Sequence, residues 1–206
     1  AGYGAVNAGR EYNDVEISQR TFLEQYVKPF RMALKAKPAM VMTAFNAIDR
    51  KPISGNKELL RDLLRDKEGF DGTVISDWGS IGQLKEQGVA ADMDEAASQA
   101  IEAGVDIDMM SPAYMFRLEE LVKNGQIPES FIDESAFRVL MMKNQLGLFE
   151  NPFAGIGKSG NLTQYNRTKA YQMASESYVL LKNEKGLLPL KKSGQKIALS
   201  DLVEVF

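Results

Sequence analysis

Thr73-Val74-Ile75-Ser76-Asp77-Trp78-Gly79-Ser80 is the stretch on which the fold turns. Thr73, Val74 and Ile75 favour a strand, because β-branched side chains pack well on a pleated surface. Asp77 falls where that strand ends, and Gly79 permits a sharp exit. A carboxylate at the C-terminal end of a parallel barrel strand stands on the face where such folds carry chemistry. The single tryptophan of the chain follows it directly, a flat apolar wall of the kind on which sugars stack. An aspartate that merely ends a strand and caps a turn is the plainer alternative, and the local pattern leaves it open.

Two other runs share this character, Ala39 to Phe45 and Gly104 to Met109. The run centres, Val41, Ile75 and Ile107, are spaced by 34 and 32 residues, enough for a strand, a helix and two loops. Continuous apolar runs suit strands buried on both faces, as in parallel sheets. Helical spacing fills the gaps. Phe22, Leu23, Tyr26, Phe30 and Leu34 share a face in a helix over Ser18 to Leu34. Asn56 caps a helix through Leu64 that stops at Gly69, and Met93 to Ala103 stops at Gly104. Tyr114 to Asn124 reads as helix, and Pro128-Glu129 opens another through Leu146. The alternation predicts an α/β fold, either a barrel or an open doubly wound sheet.

Asn151 to Gly160 is a loop by its glycines and proline. A helix over Asn166 to Asn183 follows, then extended Leu187 to Leu190, then a strand beginning at Lys196-Ile197-Ala198-Leu199.

Composition removes whole classes of chemistry. The 206 residues contain no cysteine and no histidine. Disulfides, thiolate or imidazole metal ligands and Ser-His-Asp or Cys-His nucleophiles are therefore excluded. Catalysis has to use carboxylates, lysine, tyrosine or backbone groups. A net charge of −3, with scattered basic residues, gives no reason to expect nucleic acid. No apolar run is long enough to span a bilayer. The chain opens at Ala1-Gly2-Tyr3-Gly4 without an initiator Met and reads as a segment of a longer protein.

Other candidates weigh less. Asp106 and Asp108 alternate along the third run, and polar groups satisfied near a strand end are the preferred reading over an ion-pair network or substrate contacts. Met42 and Phe45 end the first run as core filler or, at the Asp77 rim, as a substrate wall. Gly157-Lys158-Ser159 resembles the end of a phosphate loop, but Pro152 stands where that pattern needs glycine. Asn161-Leu162-Thr163 and Asn166-Arg167-Thr168 match the short glycosylation pattern, which recurs by chance. Glu11, Asp14 and Glu16 read as a solvated face, as do Asp92, Asp94 and Glu95. No metal and no cofactor are expected.

Ser76-Asp77-Trp78-Gly79 after a β-run resembles the nucleophile signature of glycoside hydrolase family 3. The likeness extends in order along the chain. Glu24 to Phe30, Val41 to Asn46 with Pro52 beyond, Leu60 to Arg65 and Gly69 to Gly72 lead into the signature as in that family. Ala103 to Met109 resembles its next strand, and Ser175 to Glu184 with Leu187 to Leu190 its junction into a second domain. The resemblance implies an α/β fold. Residues 1–150 would be the C-terminal portion of a (β/α)8 TIM-type barrel, 151–165 a linker and 166–206 the start of a truncated α/β sandwich domain.

It also implies a retaining, exo-acting β-glycosidase of β-glucosidase type, with β-xylosidase specificity as an alternative. Asp77 would be the catalytic nucleophile and Trp78 would border the bound sugar, with Phe45 and Met42 near the pocket. The partner would be a β-linked oligosaccharide or glycoside, and the location secreted or periplasmic. The family's glutamate acid/base belongs to its second domain, beyond Phe206, so this segment is expected to be inactive alone. A Lys-His pair that binds sugar in the family is absent here. A histidine-dependent branch of the family is excluded, and Ser200 to Phe206 departs from the usual continuation. Two other readings are a Schiff-base aldolase, which needs a strand-end lysine that none of the runs supplies, and a non-catalytic carbohydrate-binding barrel.

Overall fold

Met40–Met42 (β2) and Thr73–Ile75 (β5) pair in parallel, with Met40 opposite Thr73 and Met42 opposite Ile75. In this computed structural model the third run joins them only at a parallel bridge between Ile75 and Ile107. Its backbone nevertheless continues the ladder. Asp106 N–H donates to Val74 O at 2.8 Å, and Ser76 N–H donates to Ile107 O at 2.9 Å. Three parallel segments thus stand side by side in chain order. The structure describes residues 2–153, 155–156, 163–194 and 196. The strand expected from Lys196, the tail Ser200 to Phe206, the Gly157 to Gly160 loop and the first sequon fall wholly or mostly outside these residues. The chain divides into two units, Ala1–Ala154 and Gly155–Phe206. Among the described residues of the first there is a mixed α/β arrangement and no closed barrel.

A second small sheet was not expected from the sequence. Asp14–Val15 (β1) runs parallel to Ala47–Ile48 (β3), which turns back antiparallel into Lys51–Pro52 (β4). Asp49 and Arg50 make the turn with φ of 48° and 66°, a left-handed pair that two-residue hairpins need and that ordinarily selects Asn-Gly. Side chains hold it without glycine. Asp14 Oδ1 accepts from Arg50 N–H at 2.8 Å, and Asp49 Oδ1 accepts from Ile17 N–H at 3.2 Å.

The helix expected over Ser18 to Leu34 is broken in three. Gln19–Thr21 (α1), capped by the Ser18 side chain, passes into a π-type turn at Phe22–Tyr26 and then into Lys28–Leu34 (α2). Pro29 explains the last break: it has no N–H to donate, so it is accommodated in the first turn of a new helix. The next helix, Glu58–Lys67, is also wound to π-type hydrogen bonds. Asn56 caps it as expected, its Oδ1 accepting from Leu59 N–H at 3.0 Å.

Beyond β5 come Gln83–Glu86 (α3), Met93–Ala103 (α4), Ala113–Lys123 (α5) and Glu129–Gln145 (α6). Gly104 ends α4 in the left-handed region at φ 92°. Asp92 and Glu95, solvent-exposed as read from sequence, also cap its start in a box-like pair. Asp92 Oδ1 accepts from Glu95 N–H at 2.9 Å, and Glu95 Oε2 from Ala91 N–H at 2.7 Å. The alanine face of α4 lets it approach closely, and Ala96, Ala97, Ala100 and Ile101 are buried with Val74, Ile81, Leu84 and Val105.

Asp106 ties strand to helices. Its Oδ2 accepts from Arg65 Nη2 at 2.7 Å and from Val74 N–H at 2.8 Å, and its Oδ1 from Arg138 Nη1 at 2.8 Å. Glu134 Oε2 extends the network, accepting from Arg61 Nη1 at 2.9 Å and Arg138 Nη2 at 3.0 Å. Desolvation pushes the Glu134 carboxyl upward, but the hydrogen bonds and charges of Arg61 and Arg138 together outweigh it, and the net shift is below the ordinary value of 4.5. A depressed folded-state value stabilises the fold above the unfolded value and loses that stabilisation as pH falls through the folded one. Glu134→Gln is therefore expected to flatten the acid limb of stability below about pH 4.5. Urea midpoints measured at neutral pH and down the acid limb check this; identical acid slopes for variant and parent would refute it.

In the second unit Gln164–Ser177 (α7) is capped by Thr163, whose hydroxyl oxygen accepts from Asn166 N–H at 3.2 Å. It stops at Ser177, short of the expected Asn183, and Tyr178 is already extended. Tyr178-Val179-Leu180-Leu181 is a β-prone apolar run, which accounts for the early end. Asn183 then brackets Leu188, exchanging two hydrogen bonds of 3.0 Å with its backbone. No described helix is long and apolar enough to cross a membrane.

Candidate active site

The ladder fixes where Asp77 stands. β5 ends at Ile75, Ser76 is held to the next segment, and Asp77 emerges at the C-terminal rim, partly exposed. Gly79 makes the exit at φ 67°, and its N–H donates to Met109 O at 2.8 Å. The Asp77 backbone is held at both ends. Its N–H donates to Thr43 Oγ1 at 3.3 Å. Its carbonyl accepts from Ser76 Oγ at 3.0 Å and from Ser80 N–H at 3.1 Å. The carboxylate is pinned on one side, Oδ1 accepting from Trp78 N–H at 2.7 Å. Among the described residues, Oδ2 has no hydrogen-bond partner.

The other sequence candidates are found as follows. Trp78 is 61% exposed in the turn beyond β5, and Met42 is 51% exposed at the end of β2. Phe45 is half-buried and stacks against Tyr12, ring centres 4.7 Å apart and tilted by 39°. Gln87 Nε2 holds the Phe45 carbonyl at 2.9 Å. Met42 lines an apolar cleft with Phe30, Leu34, Val41 and Leu60. The clefts described among these residues are not lined by Asp77, Trp78 or Phe45.

Several neighbours carried no sequence signal. The Tyr3 hydroxyl is held above the usual phenol value first by desolvation, then by the Glu11 carboxylate and the charge of Asp77. Below Asp77, Thr43, Ser54 and Ser80 are all buried. Asp108 is a satisfied polar group as preferred from sequence, whereas Asp106 enters an ion-pair network with Arg65 and Arg138, the reading the sequence favours less. Asp106 holds the arginines, while Asp108 accepts from the Ser111 hydroxyl and from Tyr114 N–H, opening α5. No cluster of metal-ligating side chains occurs among the described residues.

Residues 1–142 match the family model described as the glycosyl hydrolase family 3 N terminal domain. The periplasmic beta-glucosidase of Salmonella typhimurium is 38% identical over 201 residues, covering 94% of this chain and 26% of that protein. A putative beta-xylosidase of Formosa agariphila is 41% identical over 204 residues, covering 97% and 27%. The crystal structure of beta-glucosidase from Listeria innocua in complex with glucose superposes with a TM-score of 0.78 at 44% identity, covering 91% of this chain and 26% of that one. The chain thus spans about a quarter of the length of the relatives it matches.

Proposed function

Because the chain belongs to glycosyl hydrolase family 3, we propose that it carries the nucleophile of a retaining, exo-acting β-glycosidase. In this reading residues 1–150 are the C-terminal portion of a (β/α)8 barrel, 151–165 a linker and 166–206 the beginning of an α/β sandwich domain. The observation that carries the proposal is the Asp77 carboxylate, set at a parallel strand's C-terminal end with Oδ1 held by Trp78 N–H and Oδ2 unpartnered among the described residues. An oxygen so placed has a lone pair to offer and little freedom to lose.

The reaction balances as two displacements. Oδ2 forms a bond to the anomeric carbon while the bond to the leaving oxygen breaks, and a general acid supplies that oxygen with a proton. Water then attacks the glycosyl-aspartate, giving its proton to the same residue, now a base, and freeing the carboxylate. Asp77 serves as the nucleophile, Trp78 as a stacking wall, and Phe45 and Met42 as rim contacts. The acid/base is proposed to come from residues outside 1–206, since no carboxylate among the described residues is placed in that role. The substrate class is a terminal β-linked glucoside or xyloside. The two relatives' names support both, because the sugars differ by one hydroxymethyl group. The relative named periplasmic supports an extracytoplasmic setting.

The test uses the native polypeptide that contains residues 1–206. Incubation with a 2-deoxy-2-fluoro-β-glucoside or xyloside bearing a dinitrophenolate leaving group is expected to add one fluorosugar, mapped by peptide mass spectrometry to Asp77. Such a leaving group departs without acid assistance, so the label reports the nucleophile alone. A label on another residue, or sugar affinity without any label, would refute the proposal; the second result is that of a non-catalytic binding barrel.

A further inference from the structure

We propose that Thr43 and Ser54 are positioning residues that set the pose of the Asp77 carboxylate, an inference that rests on Asp77 being the attacking group. Three buried hydroxyls form an unbroken chain beneath that residue. Thr43 Oγ1 lies 2.8 Å from Ser54 Oγ, and Ser54 Oγ lies 2.7 Å from Ser80 Oγ. They come from three places in the fold. Thr43 directly follows β2, Ser54 sits in the 3-10 turn Ile53–Gly55, and Ser80 lies in the turn after Trp78.

The residues at the two ends of this chain supply two of the three grips on the Asp77 backbone, the third being the Ser76 hydroxyl on its carbonyl. Thr43 accepts the Asp77 N–H at 3.3 Å. Ser80 donates its own N–H to the Asp77 carbonyl at 3.1 Å. Among the described residues Ser54 makes no hydrogen bond to Asp77 itself, yet it joins the residues that hold it. Ser54 and Ser80 are 2% and 3% exposed, as is Thr43 at 3%, so water does not replace a lost member. Linked buried hydroxyls polarise one another, and removing one leaves its neighbours unsatisfied. Because Oδ1 is already tied to Trp78 N–H, the carboxylate cannot adjust independently when its backbone moves. The position of Oδ2 against an anomeric carbon therefore follows the hydroxyl chain. A displacement of about 1 Å in such geometry costs on the order of 10²-fold in rate.

A chain that only fills the core would change melting temperature and leave the chemistry alone. The two roles separate in the glycosylation rate constant, measured by intact mass with the dinitrophenyl fluorosugar on the native polypeptide containing these residues. Thr43→Val keeps the shape and removes the hydroxyl; Thr43→Ser keeps the hydroxyl. At saturating reagent, Thr43→Val is expected to slow glycosylation by about 10- to 100-fold with little change in apparent binding. Thr43→Ser is expected to stay within about 3-fold of the parent, since it restores the acceptor for Asp77 N–H. Ser54→Ala, which alters a turn without touching the strands, carries the same test where Thr43→Val fails to fold, with an expected loss of about 10-fold. Parent-like rates in Thr43→Val or Ser54→Ala overturn the proposal, as does an equal loss in Thr43→Ser. Failure of the unaltered protein to label at Asp77 would instead remove the reading on which it rests.

Discussion

In the native polypeptide containing residues 1–206, Asp77→Gly is expected to lower kcat on aryl β-glycosides by at least about 10⁴-fold, the scale seen when a covalent nucleophile is removed. Azide is then expected to restore product formation, and the product should be a glycosyl azide of inverted anomeric configuration. The physical reason is the two-displacement scheme. A retaining site sets its two carboxyl groups about 5–5.5 Å apart, too close for water to attack while the nucleophile is present. Trimming the side chain to glycine opens that space on the face Asp77 occupied. A small anion entering there performs only the first displacement, so the configuration inverts once and stays inverted. Asp77→Asn separates chemistry from structure, since its amide oxygen can still accept from Trp78 N–H where Oδ1 now does at 2.7 Å. It should melt with the parent and remain inactive, and azide should not rescue it because the space stays filled. Retention of more than about a tenth of the activity in Asp77→Gly, against a nucleophile's usual weight, would remove Asp77 from the reaction.

The legibility of this site from sequence has a physical limit. β2 and β5 were readable because buried parallel strands are short continuous apolar runs, whereas their register is set by the pairing itself. Asn56, Gly69, Gly79 and Gly104 were readable because caps and exits are local. The hairpin at Asp49-Arg50 was missed because its left-handed turn uses neither glycine nor asparagine and is held by Asp14, 36 positions from Arg50. Asp92 and Glu95 are solvated, as their charge suggests, and the same spacing also caps a helix. The third run contained Asp106 and Asp108, and the structure spends both on fixed partners, leaving one bridge at Ile107 where a full strand was expected. Asp77 could be placed at a strand end from its neighbours in sequence. The hydroxyls beneath it could not, because Thr43 and Ser54 stand 11 positions apart and Ser54 and Ser80 stand 26 apart. Local pattern specifies elements, while a shared polar layer is specified only by their packing.

Asp106→Ala is expected to destabilise the fold by about 3–5 kcal/mol, the cost of removing one partner from a buried ion pair. For a chain of this size that corresponds to a fall in melting temperature of about 6–20 °C. The Asp106 side chain is fully buried, and those of Arg65 and Arg138 are 8% and 16% exposed. Burial draws the Arg65 guanidinium below its ordinary value, and the charge of Asp106 opposes that shift. Alanine leaves the two guanidinium groups facing one another with the intervening charge gone. It also strands the Val74 N–H, which now donates to Asp106 Oδ2 at 2.8 Å in the middle of β5. Asp106→Asn, which keeps an acceptor for that N–H, should fall between the two. Glu134→Ala should cost less, because its side chain is 42% exposed and water can replace it. The network grips β5 at Val74, whereas Asp77 is held from beyond the strand's other end by Thr43 and Ser80. Stability and chemistry should therefore part company. Well below its own melting temperature, Asp106→Ala should label at Asp77 within about 3-fold of the parent rate, because an intact near-attack geometry retains its rate. A melting temperature within about 2 °C of the parent, less than 1 kcal/mol is worth at this size, would show that the buried pair contributes no net stability. Loss of labelling in a variant that is still folded would show that the strand transmits strain along its length, and that the hydroxyl layer does not set the Asp77 pose by itself.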